Sequence, residues 1–522
     1  MRIAIVVLLV ATCGWSVAAD VRAARRAAAD RPRTLVFNND GNEPVYLMTE
    51  PTAENLLAQR TAPLAGSGVR SIFYSTWSGP FGVFTHHPRV GERFETREGR
   101  FAKNQTRALF EAGVDPLAEI AGWCRKHDVE CFFSMRMNDT HDGNGADYAP
   151  LVLATSRLKR DHPEWLLGTP EHTPRYARWT AVDYGRPEIR DLAFRYVEEV
   201  CTRYDIDGVE LDFLRHAAFF AAPARGEHAT ADDLAAMTGL LRQIRTMADE
   251  AGARRGRPIL VAVRVPDSLE YARAIGLDLE AWLGGGLVDL LVTTSYIQLN
   301  PWEYSVALGR RHGVKVYASL DECRFADVDA RRERMTVEAY RARAAAAWSA
   351  GVDGVYLFNH FDMRSPLWNE LGDRRRLATL DKDYFASYRG PGGEPFPRRA
   401  FQNLPTLSPS APLTLEAGWA TSVDLSLGDE FAADAPRRPA AMLRLALPGI
   451  TAADQVVVTC NGTAVTGGKI LPGPRPWLEI PVDAALLRPR RNVVALAPAA
   501  GSPVTTWADL GLRVRFPPAA AP

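Results

Sequence analysis

Eight short runs rich in β-branched and aromatic residues, most of them separated by a segment of helical period, fill the chain from residue 34 to residue 390. This alternation constrains the fold more than any other feature. A strand that feeds a helix before the next strand must pair in parallel, with the helix returning over the sheet. The runs are residues 34–38, 70–76, 130–137, 208–213, 259–265, 288–296, 315–320 and 354–359. Helices are expected over 116–126, 190–204, 231–253, 302–312 and 336–350. A closed (β/α)8 TIM barrel and an open doubly wound sheet are the two solutions, and the count of eight favours the barrel. No strand is followed by G-x-G-x-x-G or G-x-x-x-x-G-K-[ST], and Gly284-Gly285-Gly286 precedes a strand, so no phosphate cradle is expected.

The texture changes after Tyr384. Residues 391–412 are rich in Pro, Gly and Ser and read as a linker. Residues 413–522 alternate apolar and polar positions between turn signals such as Asn461-Gly462 and read as an all-β sandwich. Such a module braces a catalytic domain or binds carbohydrate, with bracing slightly favoured. At the other end, Arg2, the apolar run 3–10 and the small residues at 17–19 form a signal peptide over 1–19, followed by a flexible Ala/Arg-rich leader over 20–33. The expected location is therefore the periplasm or the medium. Lipidation at Cys13 is disfavoured, because Thr12 is a poor residue before the cysteine. The 62 basic and 62 acidic side chains cancel, which leaves no footprint for nucleic acid. No stretch is apolar enough for membrane insertion. Cys124, Cys131, Cys201, Cys323 and Cys460 are scattered and odd in number, which argues for buried thiols and against a disulfide framework or a zinc site. Oligomeric state is not legible.

In a (β/α)8 barrel the reacting side chains stand at the C-terminal ends of the strands. The fourth strand carries Glu210 and Asp212 on one face, because side chains alternate, and both are expected to point inward. Two inward acids suit acid/base work if their environments differ; the structural alternative is an ion-pair cluster with Arg136 or Arg264. The third strand ends in Arg136 and Asn138, followed by Asp139, His141 and Asp142. That loop is oxygen-rich, but one histidine among carboxylates lacks metal-ligand spacing, so no metal and no cofactor is assigned. Arg264 and Asp267 end the fifth strand. Tyr296 and Trp302 follow the sixth, Asp321 and Glu322 the seventh, and Asn359, His360 and Asp362 the eighth. Acids, amides and aromatics together suit a sugar, and Arg136, Asn138, Asp139, His141, Arg264, Tyr296, Trp302, Asn359, His360 and Asp362 are the expected substrate contacts. Trp77, Trp179, Tyr296 and Trp302 are the aromatics selected for stacking. With no G-x-S-x-G and no H-E-x-x-H, carboxylate chemistry remains. Glu210 is the expected acid/base and Glu322 the nucleophile or base, with Asp212 and Asp321 as rivals.

The sequence YDIDGVELDFLRH at 204–216, with VDYGRPEIRDLAFRYVEEV from Val182, FFSMRMNDTHD, ILVAVRVPDS and GVYLFNHFD, resembles the exported family 10 glycosyl-hydrolase-like barrel proteins. The resemblance covers residues 34–385. It implies a (β/α)8 barrel acting on poly- or oligosaccharide, and a layout with the acid on strand four and the nucleophile on strand seven. The departure is at the fourth strand, where Val209 and not Asn precedes the Glu. The expected function is an exported glycoside hydrolase. Its rivals are a carbohydrate-binding barrel without turnover, and another carboxylate-dependent enzyme such as a metal-assisted deacetylase or a lyase.

Overall fold

The computed structural model describes residues 21–143, 156–294, 296–389, 399–431 and 438–517. The expected signal peptide lies outside them, as do residues 391–398 of the expected linker.

Eight parallel strands close into a barrel: β1 (Leu35–Asp40), β2 (Ser71–Ser75), β3 (Glu130–Arg136), β4 (Gly208–Asp212), β5 (Leu260–Val265), β6 (Leu290–Thr293), β7 (Lys315–Leu320) and β8 (Gly354–Phe358). The strands are buried nearly throughout, as expected when one face lines the barrel interior and the other is covered by helices. Register sets the site: Glu210 lies opposite Ser134 and Ala262, and Asp212 opposite Arg136 and Arg264.

Local chemistry fixes the ends of the helices. Pro116–Lys126 starts with Pro at the first turn and the Asp115 carboxylate accepting the Leu117 N–H at 3.1 Å. Ala231–Arg255 opens on a capping box between Thr230 and Asp233 and closes on Gly256 at φ 69°. The helix expected from residue 190 starts at Pro187, because proline is pre-set for the first helical turn. The sixth strand, expected to reach 296, stops at Thr293 because Thr294 adopts φ 63°, which extended chain does not tolerate.

Contacts cluster into two compact units, the first carrying β1–β6 and the second carrying β8 and the C-terminal sheets. In the second unit, β9 (Lys382–Phe385) joins a five-stranded antiparallel sheet with Asp509–Arg515, Ala440–Ala446, Trp477–Val482 and Lys469–Leu471. A four-stranded sheet contains Thr421–Leu427, Arg490–Pro498, Val456–Cys460 and Thr463–Val465. Leu425, Leu443, Leu445, Val494, Leu496, Leu510 and Val514 share one apolar core, as in a sandwich. The sheet thus recruits a strand from before the linker, which the span 413–522 leaves out.

Residues 21–29, expected as a flexible leader, are helical. Arg25 from that helix reaches Asp289 at 2.9 Å, and Arg33 is fully enclosed with Glu130 at 2.6 Å. Enclosed charge pairs explain why this polar segment is held. Cys124, Cys131, Cys201, Cys323 and Cys460 are all buried and unbridged. No helix among the described residues is long and apolar enough to cross a membrane.

Candidate active site

Asp40, Arg136 and Asp212, together with Arg264 one residue before the end of β5, stand at or next to the C-terminal ends of β1, β3, β4 and β5. Arg136 bridges two acids, with Nη2 donating to Asp40 Oδ2 at 2.5 Å and Nη1 to Asp139 Oδ2 at 2.9 Å. Burial alone would raise the Asp40 carboxyl, but the charges of Arg136 and then Arg60 outweigh it and hold the group below its usual range. Asp139 is fully buried. Burial pushes it up as well, yet the interaction with His141 and the Arg136 guanidinium leave it well below the usual carboxylate range.

The imidazoles cap this layer. His141 Nδ1 lies 2.5 Å from Asp139 Oδ1, and its Nε2 meets Arg215 Nη2. Burial, against the pull of Asp139, lowers His141 to about 4, so the ring is neutral at neutral pH. His216 Nδ1 accepts the Thr140 N–H at 3.2 Å, which leaves the ring proton of the neutral form on Nε2. Burial, then His141 and Arg215, hold His216 well below its usual value. Asp142 is paired with Lys159 at 2.8 Å, and burial raises it against that pull.

The two acids of β4 part company. Asp212 takes a bidentate bond from Arg264, Nε to Oδ1 at 3.0 Å and Nη2 to Oδ2 at 2.7 Å, and also accepts the Leu214 N–H. It is the ion-pair outcome weighed against catalysis, and Arg264, enclosed at 0% exposure, holds Asp212. Glu210 sits at the third of five strand positions, one inward-facing step below Asp212, and is also fully buried. Its Oε2 accepts from Ser134 Oγ at 2.5 Å, and Asn38 Nδ2 donates to the same hydroxyl at 3.3 Å.

Several expected sugar contacts have other work. Asn138 donates to the Val182 and Ala218 carbonyls at 3.0 and 2.5 Å and accepts the Val182 N–H at 3.1 Å, so it ties two loops together. Substitution by leucine strands these buried backbone groups, each worth about 1–3 kcal/mol. Asn138→Leu is therefore expected to lower stability by at least about 2 kcal/mol, read as a fall in the urea midpoint. Trp77 is enclosed among Phe81, Phe84 and Tyr196, a core cluster and not a stacking platform. Trp179 is partly exposed.

In the second unit, the β7 end separates its two acids as alternation requires. Asp321 is enclosed with Arg389 and has Arg343 at 3.6 Å, whereas Glu322 is half-exposed and paired with Arg324 at 3.1 Å. The Arg324 guanidinium lies 3.6 Å over the Tyr296 ring, and Trp302 is buried at the head of its helix. His360 packs against Tyr340 and Trp368, and burial lowers its pKa against the pull of Asp362. Asp362 is exposed and accepts the Arg364 N–H. Asn359, like Thr294, has positive φ directly after a barrel strand. Such strain persists only where surroundings enforce it, and it clusters at functional strand ends.

Asp40 lies two residues beyond the first strand as its β-rich run 34–38 defines it, and the strand itself extends to Asp40. Arg215 and His216 are likewise not among the expected contacts, although both lie inside the fourth-strand signature.

No family model matches the chain, and no curated protein matches it. Solved structures do. A cycloisomaltooligosaccharide glucanotransferase from Paenibacillus sp. is 11% identical, with 93% of this chain and 57% of that chain covered and a TM-score of 0.35. An α-L-fucosidase isoenzyme 2 from Paenibacillus thiaminolyticus is 13% identical, covering 66% and 48%, with a TM-score of 0.41. The PgaB (BpsB) glycoside hydrolase domain from Bordetella bronchiseptica is 13% identical, covering 66% and 98%, with a TM-score of 0.39. The chain spans about half the length of the first two. These neighbours are carbohydrate-active enzymes of several kinds, with no preference for family 10, and likeness this distant leaves function to the site itself.

Proposed function

We propose that the protein is a glycoside hydrolase acting on a poly- or oligosaccharide. The observation that carries the reading is the stack of carboxylates at the C-terminal half of the barrel: Asp40, Asp139 and Asp212 in ion pairs with Arg136 and Arg264, and Glu210 one step deeper on a serine hydroxyl. Acetal cleavage requires one carboxyl that passes a proton to the leaving oxygen and one ionised carboxylate beside the oxocarbenium-like centre. Asp40 suits the second role, since two arginines keep it ionised and its side chain retains 15% exposure. Glu210 takes the acid/base role, with Ser134 positioning it. Glu322, the seventh-strand acid, is half-exposed and paired with Arg324 in the second unit. Asp212 and Arg264 form a rigid base that keeps β4 and β5 in register.

The fourth-strand signature and its resemblance to exported glycosyl-hydrolase-like proteins support the same reaction class, and with it export to the periplasm or medium. The C-terminal sheets act as a brace or a glycan-retaining module. The test is a glycan panel offered to the purified protein with the products separated by size and the anomer of the new reducing end read by NMR. Shortened products of one anomer are expected. Retention of a glycan with no new reducing end would make the protein a binder, and release of acetate with chain length intact would make it a deacetylase.

A further inference from the structure

We propose that a cleft at the N-terminal end of the barrel binds a compact soluble ligand whose phosphoryl groups carry two or more negative charges, a site independent of the glycosidase reading. The cleft has a volume of about 560 Å3. Its walls come from the helix over 21–29, the helix Ala231–Arg255, the turn before β6 and the entry of β7. All of the lining residues belong to the first unit. Sites for small molecules span roughly 300–1,000 Å3, so the space suits a compact ligand.

The charges on this cleft do not balance. Six of its lining side chains are Arg or Lys and three are Asp. The three acids are already paired. Arg25 and Arg245 share Asp289 at 2.9 and 2.8 Å and Asp249 at 3.3 and 2.7 Å, and Lys315 lies 3.3 Å from Asp30. Arg22, Arg26 and Arg242 remain, all exposed and with no acid partner among the described residues. Arg22 and Arg26 stand four apart on one helix face, where like charges lower helix stability. A concave wall of one sign focuses the field and concentrates counter-ions. His312 adds a polar group to the wall, since its Nε2 is buried with no hydrogen-bond partner among the described residues.

The lining also selects the kind of anion. Among the described residues no Trp, Tyr or Phe lines the cleft, so a sugar ring has no stacking platform and charge carries the recognition. Leu283, Leu287 and Val288 are buried, so none of them projects to enter a membrane. Guanidinium forks match phosphoryl oxygens in pairs, and a phosphoryl monoester carries about −1.5 to −2 charges at neutral pH. Two such groups, or one pyrophosphate, match three guanidiniums. The cradle is made of arginine side chains, not of the glycine-rich loop that the sequence lacks. Equal totals of acidic and basic residues conceal it, because the arginines come from segments far apart in the chain.

The experiment titrates the tag-free full chain with inorganic pyrophosphate at low ionic strength by calorimetry. One pyrophosphate per chain is expected, bound more tightly than sulfate, with affinity falling as salt is added. Arg26→Ala and Arg242→Ala are each expected to weaken binding by roughly 10-fold, the effect of losing one charge-assisted hydrogen bond. Alanine favours both helices, so the far-UV spectrum stays unchanged. Pyrophosphate is also expected to raise the unfolding temperature of the wild-type chain but not that of the double variant. A wild-type chain that binds no pyrophosphate at millimolar concentration, or a double variant that binds as tightly as wild type, would overturn the site. Capture by phosphatidylglycerol vesicles that pyrophosphate does not displace would overturn it too, since a lipid surface would then be the ligand.

Discussion

Replacement of Glu210 by glutamine is expected to lower kcat on any glycan the protein cleaves by about 10²–10⁴-fold, the range for loss of a general acid/base. Glutamine keeps the volume of the side chain, and its amide oxygen still accepts the Ser134 hydroxyl, so the barrel interior is conserved. What it removes is the exchangeable carboxyl proton. The effect should therefore fall on kcat, with little change in substrate binding or in the unfolding midpoint. An activated substrate with a good leaving group should regain much of the lost rate, because its departure needs little protonation. Turnover of the natural glycan at the wild-type rate would take Glu210 out of the chemistry.

Arg264→Ala is expected to destabilise the barrel by about 3–5 kcal/mol, as for breaking a buried ion pair from one side. Arg264 and Asp212 have side-chain exposures of 0% and 1%, so the remaining carboxylate has no water to turn to. Against a total stability on the order of 5–15 kcal/mol, that loss is large. It should appear as a lower urea midpoint in tryptophan fluorescence. The double variant Asp212→Leu with Arg264→Met tests the cause: with both charges gone, most of the stability should return, because paired buried charges contribute little net stability over apolar residues of similar volume. A single variant as stable as wild type would mean that Asp212 finds solvent or another cation, and its role as a fixed support would fall.

These two expectations separate two acids that sequence reading treats alike. Glu210 and Asp212 are both inward-facing on β4, as period-two alternation requires, and nothing local distinguishes them. The difference comes from β3 and β5, which supply a serine to one and an arginine to the other. The same holds at β7, where alternation says that Asp321 and Glu322 diverge, and only the fold shows that Asp321 is the one enclosed with arginines.

All eight barrel strands were legible from short β-rich runs between helical segments, because strand and helix periods are properties of neighbouring residues. Helix ends at Asp115-Pro116 and at Thr230 to Asp233 were equally local. Which charges neutralise one another, and which histidine joins Asp139, depends on residues far apart in sequence that the closed sheet brings together. A buried charge takes whichever partner the packing supplies, and that choice belongs to the tertiary structure.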